Sequence, residues 1–571
     1  MIDLFVFFSE LFIRYIGMFL YFFTAGRALI LLLVKFLSKS YTIPDTILET
    51  KNFIFYPILG LIYTGNILVL LNFFIPLKST AVKIFLILIL LPNLLSFKKE
   101  VNLKNQITFS NLFYAVLIPS VLLISTSDIN FHYDAAYYHL NNQNWLRETN
   151  LVVGFVNIFW PFGMSSIYEY ISAVLWVKDS LIYLHFLSLI FIHFLYAFLY
   201  FQIFSSRNVI IKNGSLLLLM FSILDNFGFS GGRNGFIYIQ EVGKQDTSVA
   251  ILLIVCSFTA IYQIKKNTLT PLDLICLSLI SLFILQIKVS GVYIIFLYAV
   301  ILFYLIYTQK IKFKNVLLYQ LPSISLGIMW VIKNYLMTGC LIFPVSLTCI
   351  NNFEWYVKGS TEKIEEYTSA TSFAYLEYFN NNEKNFVDWF GEFFFSENYA
   401  TFSEYYRSFY SNFLISLIVV IFIKSILFKK NKNSKEFNII LGFYLFVSLS
   451  YLILYGPIPR YTIGILCSCI LFLGFYSNEQ KFRINNLFLY LIFLLSIGML
   501  PRINSYNSFL ENKSIALFNP QIEENYSIEI SEINWEQPQE ADRCWINLSC
   551  RFEEGQISVS KEKYFYIATK K

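Results

Sequence analysis

Long apolar runs separated by short polar stretches dominate the chain. A helix needs about 17–25 mostly apolar residues to cross a bilayer. Runs of that order fall near 12–36, 54–76, 81–97, 107–126, 180–204, 209–225, 246–264, 271–287, 289–308, 313–335, 411–428, 437–455, 460–477 and 484–500. The pattern predicts an all-α polytopic membrane protein of about fourteen transmembrane helices. The segment 164–177 is apolar but short and carries Glu169, which predicts an interfacial helix lying on the outer surface. Strand-like alternation in QISVS and KYFYIA predicts a small C-terminal appendage over 501–571. The N-terminus is apolar and lacks a small-residue cleavage site, so it reads as a first span or anchor.

Composition strengthens the membrane assignment. Of 571 residues, 57% are hydrophobic and 14% charged, with mean hydropathy +0.58; soluble domains carry about 25% charge. A soluble globular enzyme, a disordered chain and a nucleic-acid binder are excluded. The many Phe and Tyr residues need no functional explanation, because a codon bias toward A and T is sufficient. The net charge of +6 matters less than where the cations lie. Lys98, Lys99 and Lys104; Arg207 and Lys212; Lys265 and Lys266; Lys310, Lys312 and Lys314; Lys429, Lys430, Lys432 and Lys435; and Lys481 with Arg483 all fall on one side when the spans are threaded in order. That side is assigned to the cytoplasm. The predicted organisation is N-terminal helices over 1–106, a transmembrane core over 107–500 with outer loops 127–179 and 336–410, and an outer C-terminal part over 501–571. The loop 336–410 mixes acids with Trp355, Tyr356, Tyr375, Trp389 and Phe393–Phe395, as a surface lid would.

Against this background a few polar residues stand out. The first outer loop reads DINFHYDAAYYHL, in which Asp134 follows a span end. A carboxylate there can take a proton from an attacking sugar hydroxyl, or hold a divalent cation with His139, or cap a helix over AAYYHL. In an α-helix Asp134 and Tyr138 share a face and His139 lies one step round. Next come Gly231-Gly-Arg233-Asn-Gly235 and Glu241-Val-Gly-Lys244-Gln-Asp246. Lys244 or Arg233 can recognise a phosphate, or the segment is an interfacial salt bridge with a glycine turn. Lys288, Lys333 and Arg460 lie near the outer ends of spans, where cations often snorkel but where the positive-inside bias disfavours them; an anionic lipid-linked phosphate is the partner they invite. His185 and His193 read as packed polar residues. Cys256, Cys276, Cys340, Cys349, Cys467 and Cys469 read as small buried hydrophobes, while Cys544 and Cys550 can pair if the tail is outside. No metal-type cysteine spacing, P-loop, GxGxxG, HExxH or GxSxG motif occurs.

Four stretches together resemble the GT-C superfamily of polytopic glycosyltransferases: YDAAYYH with Asp134, Phe159-Trp-Pro161-Phe-Gly163 leading into 164–177, KNYLMTGCLIFP over Lys333–Pro344, and PRYTIG over Pro459–Gly464. The match covers roughly 107–500. Cys340 and Leu341 replace the usual Asn-Pro, PRYTIG lacks a downstream proline, and Asp134 is followed by Ala-Ala where many relatives have a second carboxylate. The resemblance implies a GT-C-like fold and an inverting transfer from a polyprenyl-phosphate-linked sugar donor to an envelope glycan, lipid or protein acceptor. It implies a site on the outer face of the inner membrane. Asp134 would activate or orient the acceptor, while Arg460, Lys333 and Lys244 would hold the donor phosphate. Tyr138, His139 and Arg233 complete the candidate substrate-binding set, and the need for a divalent metal stays open. Two alternatives remain: an oligosaccharide polymerase or ligase, and a transporter or flippase of lipid-linked glycans.

Overall fold

The computed structural model describes residues 2–38, 53–96, 112–177, 180–206, 208–229, 232–308, 311–350, 355–356, 359–372, 401–433, 435–455, 458–480 and 485–511, and of the tail 533, 535–537, 543–551, 557–563 and 565–570. The expected lid aromatics Tyr375, Trp389 and Phe393–Phe395 lie outside the described residues.

The chain is a multi-pass helical membrane protein. Among the described residues nine helices are long and apolar enough to cross a bilayer, ten if the bent pair Asn486–Gly498 and Ile503–Glu511 is one span. Over their described residues the fourteen apolar runs fall mainly on helical structure. Over their described residues Thr80–Leu94, Phe113–Asp128 and Pro271–Ile287 are shorter, the helix Lys435–Tyr455 has 21 residues, and 484–500 belongs to a pair bent by 78°.

Ile182–Phe204 forms the almost wholly buried centre of the bundle. The first two long helices cross backbone to backbone: a Cβ on Gly26 would meet the Tyr56 carbonyl oxygen at 1.9 Å, and one on Gly60 would meet that of Phe22 at 1.8 Å. Small residues permit such close crossings in a membrane, where packing rather than water exclusion holds helices together. The helices Asp246–Lys266 and Pro459–Phe472 also pack side by side, and a Cβ on Gly464 would come within 3.0 Å of the Ala250 Cα. Asp246 and Arg460 lie in the first turns of these two helices. Close packing so near both helix starts sets those residues at one end of the bundle.

The segment expected to lie on the outer surface is instead built in. Ile167–Val174 is helical, and all but the last of its residues are buried, Glu169 included. It packs against Tyr56–Asn72 and Leu140–Glu148; an acid at that position is tolerated because protein groups, not water, satisfy it. The tail is tied to the same region. Strand β1 (Val152–Val153) pairs in parallel with the chain's last strand, which in turn pairs with its neighbour in an antiparallel hairpin. Counting the small antiparallel pair β2 (Phe428–Lys430) and β3 (Ser477–Gln480), these tail strands are β4 (Ile557–Glu562) and β5 (Phe565–Lys570). Leu548, Ile557, Val559 and Ala568 share a core with Trp145, Phe155, Phe159 and Met337.

Cys340 and Cys349 form a disulfide rather than acting as separate buried hydrophobes, and Cys544 pairs with Cys550. The pattern of apolar neighbours could not distinguish a small buried thiol from a bonded one.

The Gly26–Gly60 crossing has a direct test. Gly60→Val should lower the thermal stability of the detergent-purified protein by at least the roughly 1–3 kcal/mol typical of overpacking, or abolish its accumulation. Wild-type stability in that variant would contradict the crossing.

Candidate functional site

The loop bearing Asp134 and the loop before Asp246 are stitched together by backbone. His132 N–H donates to the Val242 carbonyl at 2.9 Å, and Val242 N–H to the Asn130 carbonyl at 3.1 Å. Gly243, at φ +94°, passes so close to Ala135 that a Cβ would sit 2.8 Å from the alanine methyl; only glycine adopts that backbone readily and leaves that space. The return of the loop from the bundle is shaped by Asp225, whose carboxylate accepts the N–H groups of Phe236 and Ile237. These contacts bring Lys244 to Asp134: its Nζ donates to Oδ2 at 2.6 Å.

Asp134 precedes a π-helical turn, Ala135–His139, closed by a bond from Leu140 N–H to the Ala135 carbonyl. Its carboxylate makes no helix-capping bond, so the capping role left open by the sequence is not realised. The turn also changes which residues share a face. In an α-helix residue i+5 lies about 140° round from residue i, whereas i→i+5 bonding brings it nearly back above i. His139 is thereby drawn toward the Asp134 side, and its ring lies 4.0 Å from that of Tyr138.

Charges around Asp134 are balanced locally. Burial would raise its pKa, but the Lys244 charge and hydrogen bond, helped by His139 and His132, outweigh it and hold the carboxyl below its ordinary value of 3.8. Lys244 is also shifted down, first by burial and then by Arg460, against the support of Asp134 and Asp246. His132 Nδ1 accepts the Asp134 backbone N–H at 3.0 Å; burial and then Lys244 lower its pKa, which favours the neutral ring. Burial, then the Asp134 and Glu169 carboxyls, push the Tyr138 phenol well above its usual value, against the pull of Arg460.

A second ion pair completes the cluster. Lys288 Nζ bonds the Asp246 carboxylate, which is 2% exposed, and stands 4.7 Å from the centre of the Tyr461 ring. Arg460 donates to the Tyr461 hydroxyl at 3.3 Å and lies within electrostatic reach of both Asp246 and Asp134. A cation in the first turn of a helix opposes the helix dipole by about 0.3–1 kcal/mol, so these carboxylates are what make the position tenable. Beside Arg460 opens a narrow cleft of about 240 Å³, its mouth included, lined by Asp246, Ser290, Tyr293, Arg460 and Tyr461 among others. Asp246 and Arg460 line this cleft, and the pairs Lys288–Asp246 and Lys244–Asp134 stand near it.

The structure thus brings together Asp134, Tyr138, His139, Lys244, Lys288 and Arg460 from the residues the sequence singled out, and adds the pairing of Asp246, Tyr461 and Glu169. Two expected members have other partners. Arg233 spends its guanidinium on the carbonyls of Met499, Leu500 and Pro501 at 2.7–2.8 Å, closing the end of the helix Asn486–Gly498. Lys333 is wholly buried; its Nζ donates to Ser165 Oγ at 2.8 Å and sits 3.5 Å from the centre of the Trp330 ring. A spacing signal existed for Asp246, two residues after Lys244, but its pairing with Lys288 depends on helix packing. Among the described residues no group of three or more His, Cys, Asp or Glu side chains could hold a metal ion.

The arrangement defines a class: a polytopic membrane protein with a partly buried, ion-paired cluster at one end of its bundle. By sequence the chain belongs to the family described as Domain of unknown function (DUF8201), whose profile matches residues 10–467. No curated protein matches the chain, and no solved structure does. The family match contains Asp134, Tyr138, His139, Lys244, Lys288 and Arg460.

With Lys244→Met, burial acts on Asp134 without its main opponent, so the carboxyl pKa should rise. An infrared titration of the Asp134 band, assigned by its loss in Asp134→Asn, checks this, and an unmoved band would contradict the pairing. Because the folded-state value is depressed, the stability contributed by the wild-type carboxylate is complete above the ordinary aspartate range and is lost as the pH falls through the depressed value.

Proposed function

We propose that the protein is a membrane glycosyltransferase that moves a sugar from a polyprenyl-phosphate carrier to an envelope acceptor on the extracytoplasmic face. The observation that carries this reading is the convergence of Asp134, Lys244, Asp246, Lys288 and Arg460, from four separate stretches of chain, beside one cleft. Lys244 occupies Asp134 Oδ2, and Oδ1 accepts no hydrogen bond among the described residues. In this reading Oδ1 takes the hydrogen bond of the acceptor hydroxyl. The acceptor oxygen attacks the anomeric carbon as the bond to the carrier phosphate breaks; the phosphate leaves with the electron pair, and the hydroxyl proton passes to Asp134. Attack opposite the leaving group inverts the anomeric centre. A carboxyl held below its usual range is a weak base, so Asp134 contributes mainly by orienting the hydroxyl and receiving its proton late.

The cations of the cluster suit the other half of the reaction. Arg460, Lys288 and Lys244 are pre-placed cations at the edge of a low-dielectric region, where stabilising a departing phosphate is worth most. The outward orientation is supported by the sidedness of the cationic connections and by the two disulfides, a feature of oxidising compartments. The wholly buried Lys333 plays no part in this scheme.

In proteoliposomes carrying a polyprenyl-phosphate sugar and cell-envelope acceptor extract, Asp134→Asn should reduce transfer by at least about 10²-fold, the usual scale of a general acid–base contribution, at unchanged protein level. Undiminished transfer by that variant would overturn the assignment.

A further inference from the structure

Glu169 is 2% exposed, yet it accepts hydrogen bonds from three separate groups. His139 Nδ1 lies 2.6 Å from Oε1, Gln245 Nε2 donates to the same oxygen at 2.8 Å, and Gln143 Nε2 donates to Oε2 at 2.7 Å. The two amides are themselves held from behind. The Trp176 indole N–H donates to Gln143 Oε1 at 2.8 Å, and the Ser166 hydroxyl to Gln245 Oε1 at 2.9 Å. Each amide oxygen is therefore engaged away from Glu169, and each NH₂ must face it. With Glu169 ionised, both of its oxygens only accept, and the proton in the His139–Glu169 contact belongs to Nδ1. In the neutral ring Nε2 is then the bare nitrogen. Among the described residues nothing bonds it, although the His139 side chain is only 9% exposed.

We propose that Glu169 is a positioning residue that locks His139 in the Nδ1–H tautomer. Its Nε2 then stands one π turn from Asp134 as a second acceptor for an incoming hydroxyl. A carboxylate that fixes the tautomer of a functional imidazole is a recurrent device. Here the carboxylate is set by amides from two different segments, 140–148 and the loop before Asp246, so the ring is oriented by the same loop that delivers Lys244. The lock itself stands on geometry alone; the use of Nε2 on a substrate hydroxyl rests on the transferase reading above.

The chain has four histidines, which makes the lock directly observable. The full-length protein, labelled with ¹⁵N-histidine and held in nanodiscs at alkaline pH, should show His139, assigned by its loss in His139→Gln, with a protonated Nδ1 and an unprotonated Nε2. Free neutral imidazole favours the opposite tautomer, and Glu169→Leu should restore it. His185 and His193 serve as internal reporters of folding, since they are held by Ser125 and by Tyr15 with the Tyr114 carbonyl, in the bundle interior. Their signals should not move in the variant. An Nε2–H tautomer in the wild type, or an unchanged His139 in a folded Glu169→Leu, overturns the proposal. If the reporters show that the variant is unfolded, the wild-type tautomer alone decides. None of these readouts depends on sugar transfer, so a failed transfer assay and a failed lock are separate results.

Discussion

The site depends on one constraint: charge at the edge of a low-dielectric bundle must be matched in place. Desolvating an ion costs several kcal/mol unless a partner and hydrogen bonds compensate it. Asp134 is matched by Lys244 and Asp246 by Lys288, while Arg460 draws on both acids. Removing one partner leaves the other charge uncompensated, so the members are interdependent although they come from distant parts of the chain. The fold serves this matching. Gly464 lets two helices run close near their starts, and Gly243 lets a loop pass over Ala135 to deliver the lysine.

The same constraint explains which sequence expectations survive contact with the structure. Helix positions are legible because an apolar run in a membrane has few alternatives to helix. Asp134, Lys244 and Arg460 are legible because an ionic residue at a span end is conspicuous. Lys333 is equally conspicuous but has a local solution, a hydroxyl and an aromatic ring, and nothing in its immediate sequence distinguishes that from a binding role. Arg233 likewise closes a helix end that lies far along the chain.

Other parts of the site were not legible for physical reasons. Glu169 reads from sequence as the mark of a surface helix because its partners, Gln143, Gln245 and His139, are dispersed, and a carboxylate looks unsuited to burial until they are assembled around it. The π turn over Ala135–His139 has no compositional signature. It turns His139 toward Asp134 by roughly a quarter-turn relative to the α-helical expectation.

The union of the tail with the loop bearing Asp134 has a temporal meaning. Trp545 N–H donates to the Ala136 carbonyl at 2.9 Å, and Asn144 reaches the Ile546 carbonyl across 402 positions of sequence. During synthesis the loop bearing the aspartate emerges early, yet it lacks these neighbours until every later helix has entered the bilayer. The finished shape of that loop is therefore a record that insertion has run to completion, and a half-inserted chain would carry the acid without the scaffold that aims it.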